Sequence, residues 1–232
     1  MTAPGPSGVL RPRALIFDLD GTLADSFTGI AHALDRTLRE VGLPERGLPW
    51  VHRHVGRGSE ALIRDAVGPE AADRADAVAA RYLVLYRDSF LAETPPFPGA
   101  REVLAHVSSR TGGRVAVLSN KSVALCRSWM EYWQLAALVA DVVGPETYGA
   151  LKPAPAAVRP VLEALDARPE EALLVGDMTV DAETGRASGV PCVTVEGPAA
   201  DADALLGAGA TAVLKDLREL PGWLAANGTG WR

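Results

Sequence analysis

Hydrophobic and polar positions divide the chain into two kinds of pattern. Residues 14–20, ALIFDLD, run apolar and end in acids, the form of a strand buried in a parallel sheet. RVAVLSN (114–120) and EALLVGD (171–177) repeat that form. PCVTVEG (191–197) predicts another strand, ALVADVVG (137–144) contains a short one, and TAVLKDL (211–217) forms a short last element. Between them the period is helical. REVLAHV (101–107) runs up to the turn Thr111-Gly112-Gly113, SVALCRSWMEYW covers 122–133, and TVDAETGRASG is closed by Gly189. APAAVRPVLEAL (154–165) accepts Pro155 near its start, and Pro160, further in, predicts a kink. Strand and helix in alternation predict a parallel sheet with helices on both faces.

Residues 25–86 read differently. Ile30, Leu34 and Leu38 lie four apart, Ala61, Leu62, Ala66 and Val67 repeat helically, and Val78, Tyr82, Leu85 and Tyr86 form a stripe. Strand patterning is sparse there, and the breaker cluster PPFPG (95–99) marks a hinge. The predicted architecture is α/β: a Rossmann-like core of residues 1–24 and 98–232, with an all-helical cap of residues 25–97 inserted after the first strand.

Ligands of open α/β sheets sit beyond the carboxyl ends of the strands. Here those ends carry Asp18, Asp20, Gly21 and Thr22, then Ser119 and Asn120, then Gly176, Asp177 and, one turn on, Asp181; Lys152 lies in GALKPAP. Carboxylates so close repel one another. Oxygen-only donors suit Mg²⁺, which binds through one or two carboxylates, waters and a substrate phosphate. A Mg²⁺ ion and the Lys152 ammonium together offset the repulsion. Attack by a carboxylate on a phosphate dianion faces the same electrostatic difficulty and has the same remedy.

DLDGT (18–22), SN (119–120), Lys152 and GDMTVD (176–181) resemble, in order, the four motifs of the haloacid dehalogenase-like hydrolase superfamily. The helical insertion resembles that family's cap, and HVGRGSEALIRDAVG resembles phosphoglycolate phosphatases and their near relatives. The resemblance implies a Mg²⁺-dependent phosphatase acting on a small phosphorylated metabolite. It implies Asp18 as the nucleophile forming an aspartyl-phosphate and Asp20 as general acid, then base. Ser119, the Asn120 backbone, the Gly21 and Thr22 amides and Lys152 would bind the phosphoryl group. The metal would be held by Asp18, Asp177 and the Asp20 carbonyl, with Asp181 steadying the site or Lys152. Arg57, in the cap, would cover the substrate's non-phosphate end. Asp20 itself favours phosphoester chemistry over dehalogenation, since an alkoxide leaving group needs a proton. The alternatives are a mutase of the β-phosphoglucomutase type, a pyrophosphatase and a non-catalytic regulatory relative.

Composition narrows the class. The chain has 232 residues, 48% of them hydrophobic, and a formal net charge of -6. That supports a substantial core and argues against nucleic acid as partner. No apolar run approaches the roughly 20 residues that span a bilayer, so no membrane partner is expected. MTAPGPSGVLRPR reads as a loose tail without a signal-peptide core. A cytoplasmic enzyme, monomeric or weakly dimeric, is the expectation, and the sequon Asn227-Gly228-Thr229 carries no weight. Cys126 and Cys192 lack metal-ligand spacing and read as buried thiols. His52-Arg53-His54 reads as a surface loop and Gly56-Arg57-Gly58 as a turn between helices. Trp129, Tyr132 and Trp133 read as packing residues.

Overall fold

The computed structural model describes residues 10–228. Residues 1–9 of the expected tail and Thr229 of the sequon lie outside the described residues. Six parallel strands form one sheet: β1 (Ala14–Phe17), β2 (Val115–Leu118), β3 (Asp141–Val143), β4 (Ala172–Gly176), β5 (Cys192–Val195) and β6 (Ala212–Leu214), in the order β3-β2-β1-β4-β5-β6. β1 is therefore central, pairing Leu15 with Val115 on one side and with Leu173 on the other. The chain leaves β1 in one direction for β2 and returns on the other side as β4. The crevice at the carboxyl ends of β1 and β4 is thus the topological switch point.

Alternation along β1 explains why its four residues are all buried. Leu15 and Phe17 point into one core with Val115, Val117, Leu173 and Val175. Ala14 and Ile16 point into a second with Ala116, Leu118 and Leu174. The second core is covered by α8 (Pro155–Ala164) through Ala157, Val158, Val161 and Leu162. Pro160 lies inside that helix, half-exposed, away from its apolar stripe. The first core is covered by α5 (Ala100–Thr111), α6 (Val123–Tyr132) and α11 (Leu220–Asn227). α9 (Thr179–Ser188) ends at Gly189, which adopts the left-handed conformation expected of a helix-closing glycine. The four-residue α7 (Pro145–Tyr148) and the short α10 (Ala202–Ala208) have too little periodicity to be read from sequence.

The insertion is all-helical: α1 (Phe27–Glu40), α2 (Leu48–His54), α3 (Ser59–Val67), a 3₁₀ turn (Pro69–Arg74) and α4 (Ala75–Ser89). Its two connections to the sheet run side by side. Asp25 N–H donates to Pro95 O and Phe97 N–H to Leu23 O, with Ala24 bridged to Pro96. Ile30, Leu34 and Leu38 of α1 and Val78, Tyr82 and Tyr86 of α4 are buried as their spacing predicts, in the same core as Leu19 and Leu23. His52-Arg53-His54 is the last turn of α2 and not a loop; His52 sets its ring edge-on to Phe27, and His54 stacks on Trp50. Trp129 is fully buried, its indole N–H donating to Thr94 O at 2.7 Å, while Tyr132 is more than half exposed. Both cysteines are buried, and burial pushes their thiols up, which makes them poor nucleophiles. No described helix is long and apolar enough to cross a membrane.

Candidate active site

β1 stops at Phe17 because the next residues turn. Asp18 N–H still pairs with Val175 O of β4 at 2.8 Å, then Leu19 O accepts from Leu23 and Ala24 in a tight loop. The turn delivers Asp18, Asp20 and Thr22 to the switch point. Gly21 at its apex has φ +85°, and a Cβ there would overlap the Asp177 carboxylate. The close approach and the backbone geometry both require glycine. Thr22 Oγ1 donates to Asp177 Oδ1 at 2.8 Å, which ties the β1 loop to the β4 loop.

Lys152 comes from the stretch between β3 and α8 and is buried. Its Nζ lies 2.9 Å from Asp18 Oδ2 and 2.6 Å from Asp181 Oδ1. Asp181 Oδ2 accepts from the N–H groups of Met178, at 3.1 Å, and Asp177, at 3.3 Å. Both Asp181 oxygens are therefore committed, and the residue holds Lys152 in place. Asn120 spends its side chain on the backbone: Oδ1 accepts from Lys152 N–H at 2.8 Å, and Nδ2 donates to Lys152 O and to Gly56 O of the cap. Ser119 is buried in the cavity wall, and its Oγ accepts from Lys121 N–H at 3.3 Å.

Carboxylate oxygens of Asp18, Asp177 and Asp181 lie within 4.8 Å of one another. Burial raises the Asp18 carboxyl to about 7 despite the Lys152 charge beside it, and the nearby Asp181 and Asp20 add to the rise. Burial, then the charges of Asp181 and Asp18, raise Asp177 well above the carboxylate range. Burial pulls the Lys152 ammonium down, but Asp18 and Asp181 outweigh it and hold the group charged. Asp177 Oδ2 is buried with no hydrogen-bond partner. A buried, unpartnered carboxylate oxygen in a cluster made up of aspartates alone fits a hard divalent cation. The carboxylate of Asp20 stands apart from the cluster, with Oδ2 3.0 Å from Lys121 Nζ. Any part of Asp20 in holding a cation falls to its backbone carbonyl.

Above these groups lies a cavity of about 70 Å³. That is room for a few waters, a space on the scale of a small ligand. Its floor is Asp18, Asp20, Ser119, Asn120 and Lys152; its roof is Ile30, Val55, Leu62, Tyr82, Leu83 and Tyr86 of the cap. Arg57 does not reach it. Gly56 and Gly58 line the wall, whereas Arg57 between them is exposed. Gly56, at φ +116°, brings the backbone so close to Met178 that a Cβ would lie 2.7 Å from its Sδ, and the next side chain turns outward. The cation that does line the cavity besides Lys152 is Lys121, which the sequence did not single out. Its place directly after Ser119-Asn120 was the available signal.

Residues 15–195 match the sequence family described as haloacid dehalogenase-like hydrolase. A phosphoglycolate phosphatase of Rhodospirillum rubrum is 38% identical over 222 residues, covering 92% of this chain and 91% of that protein. A phosphoglycolate phosphatase of Aquifex aeolicus is 35% identical, over 76% of this chain and 81% of its own length. A crystal structure of a haloacid dehalogenase-like protein from Bacteroides fragilis superimposes with a TM-score of 0.84 at 26% identity, over 90% of this chain and all of that one.

Proposed function

The chain belongs to the haloacid dehalogenase-like hydrolases, and from that premise we propose that it is a Mg²⁺-dependent phosphatase of a small phosphomonoester, with phosphoglycolate the first substrate to test. One observation carries the reading: a buried carboxylate, Asp18, opens onto a small cavity and is paired at 2.9 Å with an ammonium that a second carboxylate holds in place. The relatives named phosphoglycolate phosphatases support the substrate class, as does the cavity volume. The mutase alternative is not favoured by these relatives.

Asp18 attacks phosphorus, and the bond from phosphorus to the leaving oxygen breaks. Asp20 gives its proton to that oxygen, so an alcohol departs and an aspartyl-phosphate remains. Asp20 then takes a proton from water as the water oxygen attacks phosphorus. The bond from phosphorus to Asp18 breaks, returning the carboxylate and inorganic phosphate. Lys152, the Ser119 hydroxyl and the amides of Gly21, Thr22 and Asn120 bind the phosphoryl oxygens. Asp18 and Asp177, with the Asp20 carbonyl, would hold Mg²⁺, and Asp181 orients Lys152. The bound ion supplies positive charge that lets a carboxylate approach a phosphate dianion. Residues 25–97 act as a cap that excludes bulk water and sets the size of the substrate.

The test is phosphate release across a panel of small metabolite phosphates, with Mg²⁺, by the wild type and by Asp18→Asn. A compact carboxylated phosphoester with the highest kcat/KM, and no turnover or phosphoenzyme in Asp18→Asn, supports the reading. Turnover that survives exhaustive chelation, or in Asp18→Asn, overturns it.

A further inference from the structure

Lys121 grows from the core, but its head group belongs to the cap. Nζ donates to Tyr86 Oη of α4 at 2.8 Å and lies 4.6 Å and 5.0 Å from the ring centres of Tyr86 and Phe90. Asp20 Oδ2 lies 3.0 Å from the same nitrogen. The Lys121 side chain is only 8% exposed, so the ammonium has an aromatic cage on one side and a carboxylate on the other. Such a cage attracts a cation through the ring quadrupoles, and the effect grows when water is excluded. Asp20 Oδ1, by contrast, is buried with no hydrogen-bond partner, in a residue that lines the cavity above Asp18. One oxygen of Asp20 is thus anchored and the other is free.

We propose that Lys121, fixed by Tyr86 and Phe90, is the positioning residue for Asp20: it anchors Oδ2 and thereby presents Oδ1 to the leaving-group oxygen. The inference rests on the phosphatase reading above and assigns Lys121 no contact with substrate. An acid or base acts only within hydrogen-bond reach of the atom it serves, and a third group commonly orients it. A free carboxylate in this loop could rotate about two torsions; tied to a caged ammonium it keeps one orientation. The cage comes from α4 and Phe90, while the acid sits on the β1 loop, so the orientation exists only while cap and core are in contact. Tyr86 sets where the ammonium stands, and the ammonium sets where the carboxylate stands.

The test compares Lys121→Met, Lys121→Arg and Tyr86→Phe with the wild type, using full-length protein and Mg²⁺. Two substrates are read: phosphoglycolate, whose alkoxide needs a proton, and p-nitrophenyl phosphate, whose phenolate does not. Lys121→Met is expected to lower kcat for phosphoglycolate on the order of 10²-fold, within the range that positioned acid catalysis contributes. KM should change less than about 3-fold, and the initial nitrophenolate burst should keep its rate within about 3-fold, since binding and the acid-independent step are untouched. Tyr86→Phe should give the same pattern in smaller measure, and Lys121→Arg should recover part of the loss. Equal losses on both substrates, or none on phosphoglycolate, overturn the proposal. A wild type that turns over neither ester overturns the phosphatase reading instead. The crystal structure of Lys121→Met then decides the positioning role: Asp20 turned from its wild-type orientation supports it, and Asp20 unmoved overturns it. Should Lys121→Met fail to fold, Tyr86→Phe, which keeps the charge and most of the cage, decides by the same substrate comparison.

Discussion

Gly21 and Asp177 stand so close that no side chain fits between them: a Cβ on Gly21 would occupy the space of the Asp177 carboxylate. The contact joins the β1 loop to the β4 loop where the cation is expected. Gly21→Ala therefore forces a positive φ on a residue with a Cβ and displaces Asp177. Urea unfolding should report a loss of about 1–2 kcal/mol from the backbone alone. Calorimetric titration should report weaker Mg²⁺ binding. Unchanged Mg²⁺ affinity would show that Asp177 is not a ligand.

Metal and protons should compete. Burial pushes Asp18 up to about 7 from an ordinary value of 3.8, and Asp177 is raised as well, again chiefly by burial. The folded state thus binds protons that the unfolded state has released. The favourable contribution is complete below the ordinary carboxylate range and is lost as pH rises through the folded value. Melting in a chelator should show this site losing stability between about pH 4 and pH 7. Added Mg²⁺ should raise the Tm more near pH 8 than near pH 5, because at high pH it no longer displaces protons. An equal Mg²⁺ shift at both values would contradict the linkage.

Lys152→Met should destabilise more than an ordinary core substitution. It leaves Asp18 and Asp181 buried without their counter-charge, and breaking such a pair costs about 3–5 kcal/mol. Adding Asp181→Asn should return part of that loss, since one uncompensated charge is removed. A double-mutant cycle by urea unfolding measures the coupling. Additive losses would mean that the 2.6 Å contact contributes nothing.

Substrate size should answer to Leu62 and not to Arg57. Leu62 lines the cavity roof, and Arg57 is exposed outside it. Leu62→Ala should move the kcat/KM ranking toward longer phosphates by roughly 10–200-fold, the range for a single methylene in an apolar pocket. Arg57→Ala should leave the ranking within about 3-fold, the small effect typical of an exposed side chain. A collapse of phosphoglycolate selectivity in Arg57→Ala would restore that residue to substrate selection.

Asp20→Asn should separate the two half-reactions. With p-nitrophenyl phosphate the first step needs little proton donation, whereas water attack lacks its base. Rapid quench should show a nitrophenolate burst of at most one equivalent and then slow turnover, and intact mass should show phosphate held on the protein. With an alkyl phosphate the first step itself should slow, by on the order of 10²–10⁴-fold. No burst and no added mass would remove the acid/base role from Asp20.

The sequence by itself determined what depends on near neighbours along the chain. Alternation in ALIF sends Leu15 and Phe17 to one core and Ala14 and Ile16 to the other, and each strand end delivers its own polar residues. A parallel sheet gathers its carboxyl ends on one side, so Asp18, Ser119 and Asp177 are legible as one cluster from the strand pattern alone. The stripe of Val78, Tyr82 and Tyr86 likewise predicted the buried face of α4. The tertiary structure decided what the far ends of side chains touch. Asp181 reads as steadying either the metal site or Lys152, and only the fold puts it 2.6 Å from the Lys152 ammonium. Asn120 reads as a phosphate neighbour through its backbone, and only the fold shows its side chain holding the backbone of Lys152 and Gly56. Arg57 reads as a cap residue over the substrate until close packing of Gly56 on Met178 is seen at the wall, with Arg57 in solvent. Lys121 reads as one lysine among three until α4 lays Tyr86 and Phe90 around it. The reason is one of range. Strand and helix periods are set by backbone geometry within a few residues, whereas the partner of a buried charge is set by which distant loop packs against it.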